Sequence, residues 1–234
     1  MSLGQTTCVA LHGLDGAIVT VEVDIADGLP GYSLLGLPDA ALSESRDRVR
    51  SAIVNCGEVW PNRKVTVSLS PAWLPKSGSS FDLAICIALL SAHETVPTER
   101  ISEVVFLGEL SLDGKIRSVR GVLPALMAAY KAGVTMAVVP AANVEEAQLM
   151  QGMEIIPMHH LKQVLRWLRT GEREVEQQID LQWQPSDERL DFAKSLEIKH
   201  PDCVKTIRRY GRWHHSINFN NWKSNKLIKI DDYI

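Results

Sequence analysis

Residues 74–83 read Leu74-Pro75-Lys76-Ser77-Gly78-Ser79-Ser80-Phe81-Asp82-Leu83. A proline and a glycine interrupt the chain, two serines follow, and the sequence then turns apolar through Ala92. Upstream, Lys64–Leu69 alternates apolar and polar residues, the period of a half-buried strand. The stretch is therefore a glycine-containing turn between a strand and a helix. Such a turn leaves amide groups at a helix N-terminus, where they can hold an anion or an oxyanion. The plainer reading is a turn in which Ser79 or Ser80 caps the helix. Asp82–Ala92 carries so little polar surface that it reads as the central buried helix, with Asp82 placed to favour its dipole.

Working outward, residues 16–25 alternate cleanly, with Val19, Val21, Val23 and Ile25 on one face and Thr20, Glu22 and Asp24 on the other. Thr6–Leu11 is a partner strand, and Tyr32–Leu35 is a third. Asp39–Cys56 reads as one helix ended by Gly57, with Arg46, Arg48 and Arg50 solvated. Arg46 and Arg50 share one face four residues apart and suit a phosphate or a neighbouring subunit. Val104–Leu110 and Lys115–Val119 flank Asp113-Gly114, which predicts a two-residue hairpin with positive φ at both central positions. Val122–Ala132 is a helix ended by Gly133, Met136–Val139 a strand, Val144–Met150 a helix, Glu154–Pro157 a strand and His159–Leu168 an amphipathic helix. This mixture of strands and helices is an α/β or α+β domain over residues 1–171. Glu109, an acid in an apolar strand, needs a partner, and Arg117, Arg120 and Lys76 are the candidates.

Three segments together carry a family likeness: Glu44-Ser-Arg-Asp-Arg-Val-Arg50, Leu74–Leu83, and Phe106-Leu-Gly-Glu-Leu-Ser-Leu-Asp-Gly-Lys-Ile-Arg-Ser-Val-Arg-Gly-Val-Leu-Pro124. With these the chain resembles the N-terminal domain of the ComM/YifB family of magnesium-chelatase-like AAA+ ATPases, over about residues 5–170. The resemblance implies a Lon-protease-like fold of the ribosomal S5 domain 2-like type. Its motif positions are Pro75, Lys76, Gly78, Phe81, Asp82, Gly108 and Glu109. It also implies that full-length relatives are ATP-driven hexameric motors linked to DNA branch migration in natural transformation.

In Lon-type proteases the corresponding loop presents a nucleophilic serine, and a lysine on a later helix is its base. By that likeness Ser80 falls on the nucleophile's position, and the base position falls on Leu123. Leucine accepts no proton, and a serine without a base is a poor nucleophile at neutral pH. No catalytic residue is therefore expected, with Ser80 the one candidate. ComM-like proteins usually lack a serine here, so a Lon-like serine hydrolase using Ser80 stays open as an alternative.

No G-x-x-x-x-G-K-[ST] loop occurs in residues 1–234, nor an apolar strand ending in Asp-Glu. The chain is thus expected to hold no cofactor of its own, ATP and magnesium belonging to the full-length relatives. His159-His160 lacks a third ligand, so no metal site is expected. Cys8, Cys56, Cys86 and Cys203 form no C-x-x-C pair. The absence of a long apolar run and of a signal peptide predicts a cytoplasmic protein with no membrane contact.

Residues 181–234 carry 10 Lys+Arg against 7 Asp+Glu, whereas residues 1–180 carry 15 against 21. This shift marks a boundary. Residues 172–191 read as a polar linker and 192–234 as a basic, aromatic tail. The tail reads as the product of a frameshift or truncation, or, alternatively, as a weak DNA contact through Arg208-Arg-Tyr-Gly-Arg-Trp. The expected partners are further copies of the chain or other protein subunits.

Overall fold

The computed structural model of the protein describes residues 2–173. The linker beyond that point and the whole basic tail lie outside the described residues.

Strands β1 (Ser2–His12) and β2 (Asp15–Ala26) form an antiparallel hairpin in register from Ser2↔Ile25 to His12↔Asp15. β3 (Gly31–Leu35) runs parallel to β4 (Lys64–Ser70), and β4 is antiparallel to β2. β5 (Val104–Phe106), β8 (Met136–Pro140) and β9 (Glu154–Met158) continue the sheet in parallel, giving the order β3-β4-β2-β1-β5-β8-β9. The alternation read from β2 holds: Val19, Val21, Val23 and Ile25 are fully buried, and Thr20, Glu22 and Asp24 are half-exposed.

Helix α3 (Asp82–Ala92) is buried at every position, because it lies between the sheet and α2 (Ser45–Asn55). It sits close to β1: a Cβ on Gly4 would fall on the Ala88 carbonyl oxygen, and Thr6 Oγ1 donates to the Ala84 carbonyl at 2.9 Å. Helix α4 (Val122–Lys131) packs through Ala128 against Gly16, and a Cβ on Gly121 would meet Leu11. The remaining helices are α1 (Ala40–Ser43), the short α5 (Val144–Ala147) behind a 3-10 turn at Ala141–Asn143, and α6 (Leu161–Thr170).

Several local expectations are corrected. The Asp39–Cys56 segment is two helices broken at Glu44, and Asp39 caps the first of them by accepting from Leu42 N at 2.8 Å. Arg48 is not solvated but turns inward to Asp82. The Val104–Leu110 run is two strands. Gly108, at φ +157°, bends the chain so that its amide donates to the Ser80 carbonyl and its carbonyl accepts from Leu83 N. Past that bend, β6 (Glu109–Leu110) pairs with β7 (Ile116–Arg117) in a separate ribbon. The turn between them is not the two-residue Asp-Gly type. Gly114 N donates to the Ser111 carbonyl, and of Asp113 and Gly114 only the glycine has positive φ. Asp113 instead ties the turn by accepting from Ser111 Oγ at 2.6 Å and Lys115 N at 3.2 Å. Helix α6 begins at Leu161, two residues later than expected, with His160 capping it.

Candidate functional site

The turn Pro75–Ser80, the bend at Gly108 and the start of α4 surround a cleft of about 380 Å³. Ser77, Gly78, Ser79 and Ser80 form one wall. Glu109 stands on another, and Ser118, Arg120, Gly121 and Val122 close the third. Val9, Leu11 and Leu107 make an apolar floor supplied by the sheet.

Each wall is held by specific bonds. Gly78 N donates to Asp39 Oδ2 at 3.0 Å, so the α1 cap also pins the turn. The Lys76 side chain is enclosed, and its Nζ donates to the carbonyls of Leu69 (2.9 Å) and Pro71. Burial lowers its pKa. The ammonium is thus committed to the end of β4 and does not line the cleft. On the far wall Asn143 both accepts from Val119 N and donates to the Val119 carbonyl, each at 3.0 Å. Glu146 accepts from Leu123 N at 2.9 Å, which fixes the first turn of α4.

Neither Ser79 nor Ser80 caps α3; the N-cap is Phe81, with no side-chain cap bond. Ser79 Oγ donates instead to the Glu109 carboxylate across the cleft. Glu109 therefore takes a hydroxyl partner rather than Arg117, Arg120 or Lys76. The reason is the Gly108 bend, which aims Glu109 at the serine turn.

The ionic anchor lies behind this wall. Asp82, fully buried at the start of α3, accepts from Arg48 Nε at 2.6 Å and Nη2 at 3.0 Å, and from Leu110 N at 3.2 Å. Burial pushes its pKa up to about 6 despite Arg48. One carboxylate thereby joins α2, α3 and β6. Sequence reading placed Asp82 at the helix start but missed Arg48 as its partner. Arg48 lies one residue from buried Val49 and three from buried Ser45, on the inner side of α2, a side that only the packing of α2 against α3 reveals.

Ser80 is half-buried on the cleft wall, and its carbonyl accepts from Gly108 N. Cys8 Sγ lies 3.8 Å from that same carbonyl. Burial pushes the Cys8 thiol up to about 12, so it stays protonated. Among the described residues lining the cleft there is no lysine or histidine, and the titratable side chains are Glu109 and Arg120. Leu123 does not line it. Of the motif positions, Gly78 and Glu109 reach the cleft, whereas Pro75, Lys76, Phe81, Asp82 and Gly108 do not line it. Arg46 and Arg50 are exposed on α2 and not among its walls, with the Arg46 guanidinium 5.9 Å from the Tyr32 ring centre. Among the described residues no three His, Cys, Asp or Glu side chains gather as a metal site, and no helix is long and apolar enough to cross a membrane.

Residues 21–143 match the family model described as Subunit ChlI of Mg-chelatase. The chain is 54% identical over 169 residues to an uncharacterised protein of Mycobacterium tuberculosis, covering 72% of this chain and 34% of the relative. It is 40% identical over 168 residues to the protein YifB of Escherichia coli (72% and 33%). It is 36% identical over 173 residues to the competence protein ComM of Haemophilus influenzae (74% and 34%). A weaker likeness, 28% over 176 residues, extends to Lon protease 1 of Myxococcus xanthus, across 70% of this chain and 21% of that one. The chain spans about a third of the length of the ComM and YifB relatives.

Proposed function

The chain belongs to the ChlI-type magnesium-chelatase family that includes YifB and ComM, and from that premise we propose that it is the non-catalytic, Lon-like N-terminal module of such a protein, acting by association with further copies or partner subunits. Its mixed α/β fold with a mostly parallel sheet accords with that family and with the likeness to Lon protease. The single observation that carries the non-catalytic reading is the fate of Lys76. Its ammonium is spent on the Leu69 and Pro71 carbonyls, and among the described residues the cleft around Ser80 offers a carboxylate and a guanidinium but no amine. A carboxylate already accepting from Ser79 is a weak base for a serine hydroxyl.

ATP hydrolysis and DNA processing belong, on this reading, to the longer relatives and not to residues 1–234. The ComM relative is a competence protein, and we extend that pathway to this chain. Three measurements test it. Titration with ATP and magnesium should give no binding heat, and micromolar affinity would refute the reading. A serine-reactive phosphonate should leave the chain unlabelled; labelling that disappears in Ser80→Ala would establish the hydrolase instead. DNA binding that falls with salt and vanishes on removal of residues 192–234 would favour the tail as a nucleic-acid contact.

A further inference from the structure

The seven-stranded sheet ends in two edges of opposite character. β9 is guarded: Glu154 is exposed and paired with Arg173, and exposed Pro157 lacks an N–H. Charges and prolines of this kind keep an edge from recruiting another strand. β3, at the other end, has neither device. From Gly28 to Pro38 the sequence is Gly-Leu-Pro-Gly-Tyr-Ser-Leu-Leu-Gly-Leu-Pro, without one charge, and its prolines stand outside the strand.

The pairing direction can be read from the backbone. Gly31 N donates to the Arg63 carbonyl, so Gly31, Ser33 and Leu35 direct their backbone groups toward β4. Alternation turns the N–H and C=O of Tyr32 and Leu34 to the open edge. These two residues flank Ser33 symmetrically. A second β3 laid antiparallel with Ser33 opposite Ser33 sets Tyr32 against Leu34 in both directions. All the outward groups are then satisfied in reciprocal hydrogen-bonded pairs. Such self-complementarity is what a two-fold interface requires.

The side chains suit the same register. Gly31, Ser33 and Leu35 are exposed on one face, and the space beside Gly31 is open enough for the Leu35 side chain that would lie opposite it. Leu29 (89% exposed), Leu37 (58%) and Trp73 (76%) stand at the two ends of the β3–β4 pair. Residues 1–180 carry 21 acids against 15 bases, whereas the Gly28–Pro38 run carries no charge that would oppose a second copy. The contact area is limited. One tryptophan offers about 200 Å² and a stable complex needs about 800 Å² per partner, so a strand with these few side chains makes a concentration-dependent dimer.

We propose that β3 is the docking edge for a second copy of this chain, which adds its own β3 antiparallel about a two-fold axis at Ser33. This deepens, and rests on, the self-association reading above.

The test uses the full chain in sedimentation velocity over a range of concentrations. Ser33→Lys and Ser33→Glu should each weaken the dimer at least about tenfold, since like charges directly opposite destabilise a strand pair. An equimolar mixture of the two should dimerise again. Ser33→Cys should form a disulfide dimer under mild oxidation, because directly opposed residues of a non-hydrogen-bonded pair have Cα atoms about 4.5 Å apart; the wild type controls for Cys56 and Cys203. If the wild type associates but the charged variants associate equally well, or Ser33→Cys does not cross-link, the β3 edge is the wrong surface while self-association stands. A wild type that stays monomeric at several hundred micromolar overturns both.

Discussion

Replacing Arg48 by methionine removes one partner of the ion pair that joins α2, α3 and β6. The Asp82 side chain has no exposed surface, and that of Arg48 keeps 19%. Deleting one member of a buried pair typically costs about 3–5 kcal/mol, because the other charge is left without compensation. Water already reaches part of the guanidinium, so the lower end applies, about 3 kcal/mol near pH 8. The loss should depend on pH. Burial holds Asp82 up to about 6 even beside Arg48, against an ordinary 3.8. Without the guanidinium its folded value rises further. A folded pKa above the unfolded one gives stability that is full below the unfolded pKa and is lost as pH rises through the folded pKa. The variant therefore suffers most at pH 8. Its penalty shrinks toward pH 5, by about 1.4 kcal/mol for each further unit that Asp82 rises. Urea unfolding of wild type and variant at pH 5, 6.5 and 8, followed by circular dichroism, measures this. In the double variant with Asp82→Asn, the coupling between the two sites should exceed about 1 kcal/mol. A penalty below about 1 kcal/mol at pH 8, or one that does not change with pH, would refute the assignment of Asp82 and Arg48 as the anchor behind the cleft.

Three further outcomes follow from the packing. Gly4→Ala places a methyl group on the Ala88 carbonyl, a backbone atom that cannot swing away, so thermal unfolding should show a loss of at least about 2 kcal/mol. Asn143→Ala leaves the Val119 N–H and C=O without their partner; it should cost about 2 kcal/mol and raise hydrogen exchange at residues 118–123 more than in α3. Ser79→Ala removes the bond across the cleft to half-buried Glu109, with an expected loss of about 1 kcal/mol by urea unfolding and no change in oligomeric state.

Much of this architecture was legible in the residues. The period-2 pattern gave β2 and β4, and the apolar run gave α3 with the bounds Asp82–Ala92. Motif order across 44–124 carried the family, which the ChlI match over residues 21–143 supports. What failed did so for identifiable reasons. Arg48 looks like its neighbours Arg46 and Arg50 in sequence, and only the rotation of α2 against α3 turns it inward. Gly108 sits inside a run that reads as one strand, and its bend becomes visible only where Ser80 and Leu83 bond to it. Ser79 resembles a helix cap, yet Glu109 captures it from a strand thirty residues away.

Apart from the breaks at Glu44 and Gly108, the sequence by itself determined most of the strands and helices and which of their faces are apolar. These depend on side-chain periodicity and on residues within a few positions of one another. Only the tertiary structure decided the partners of the charged and hydroxyl groups: Lys76 with two carbonyls, Asp82 with Arg48, Glu109 with Ser79. The Asp82–Arg48 and Glu109–Ser79 pairings join groups 34 and 30 residues apart, which a local pattern cannot bring together, and enclosure from water makes the Lys76 ammonium and the Asp82 carboxylate take the acceptor or donor that the fold places beside them.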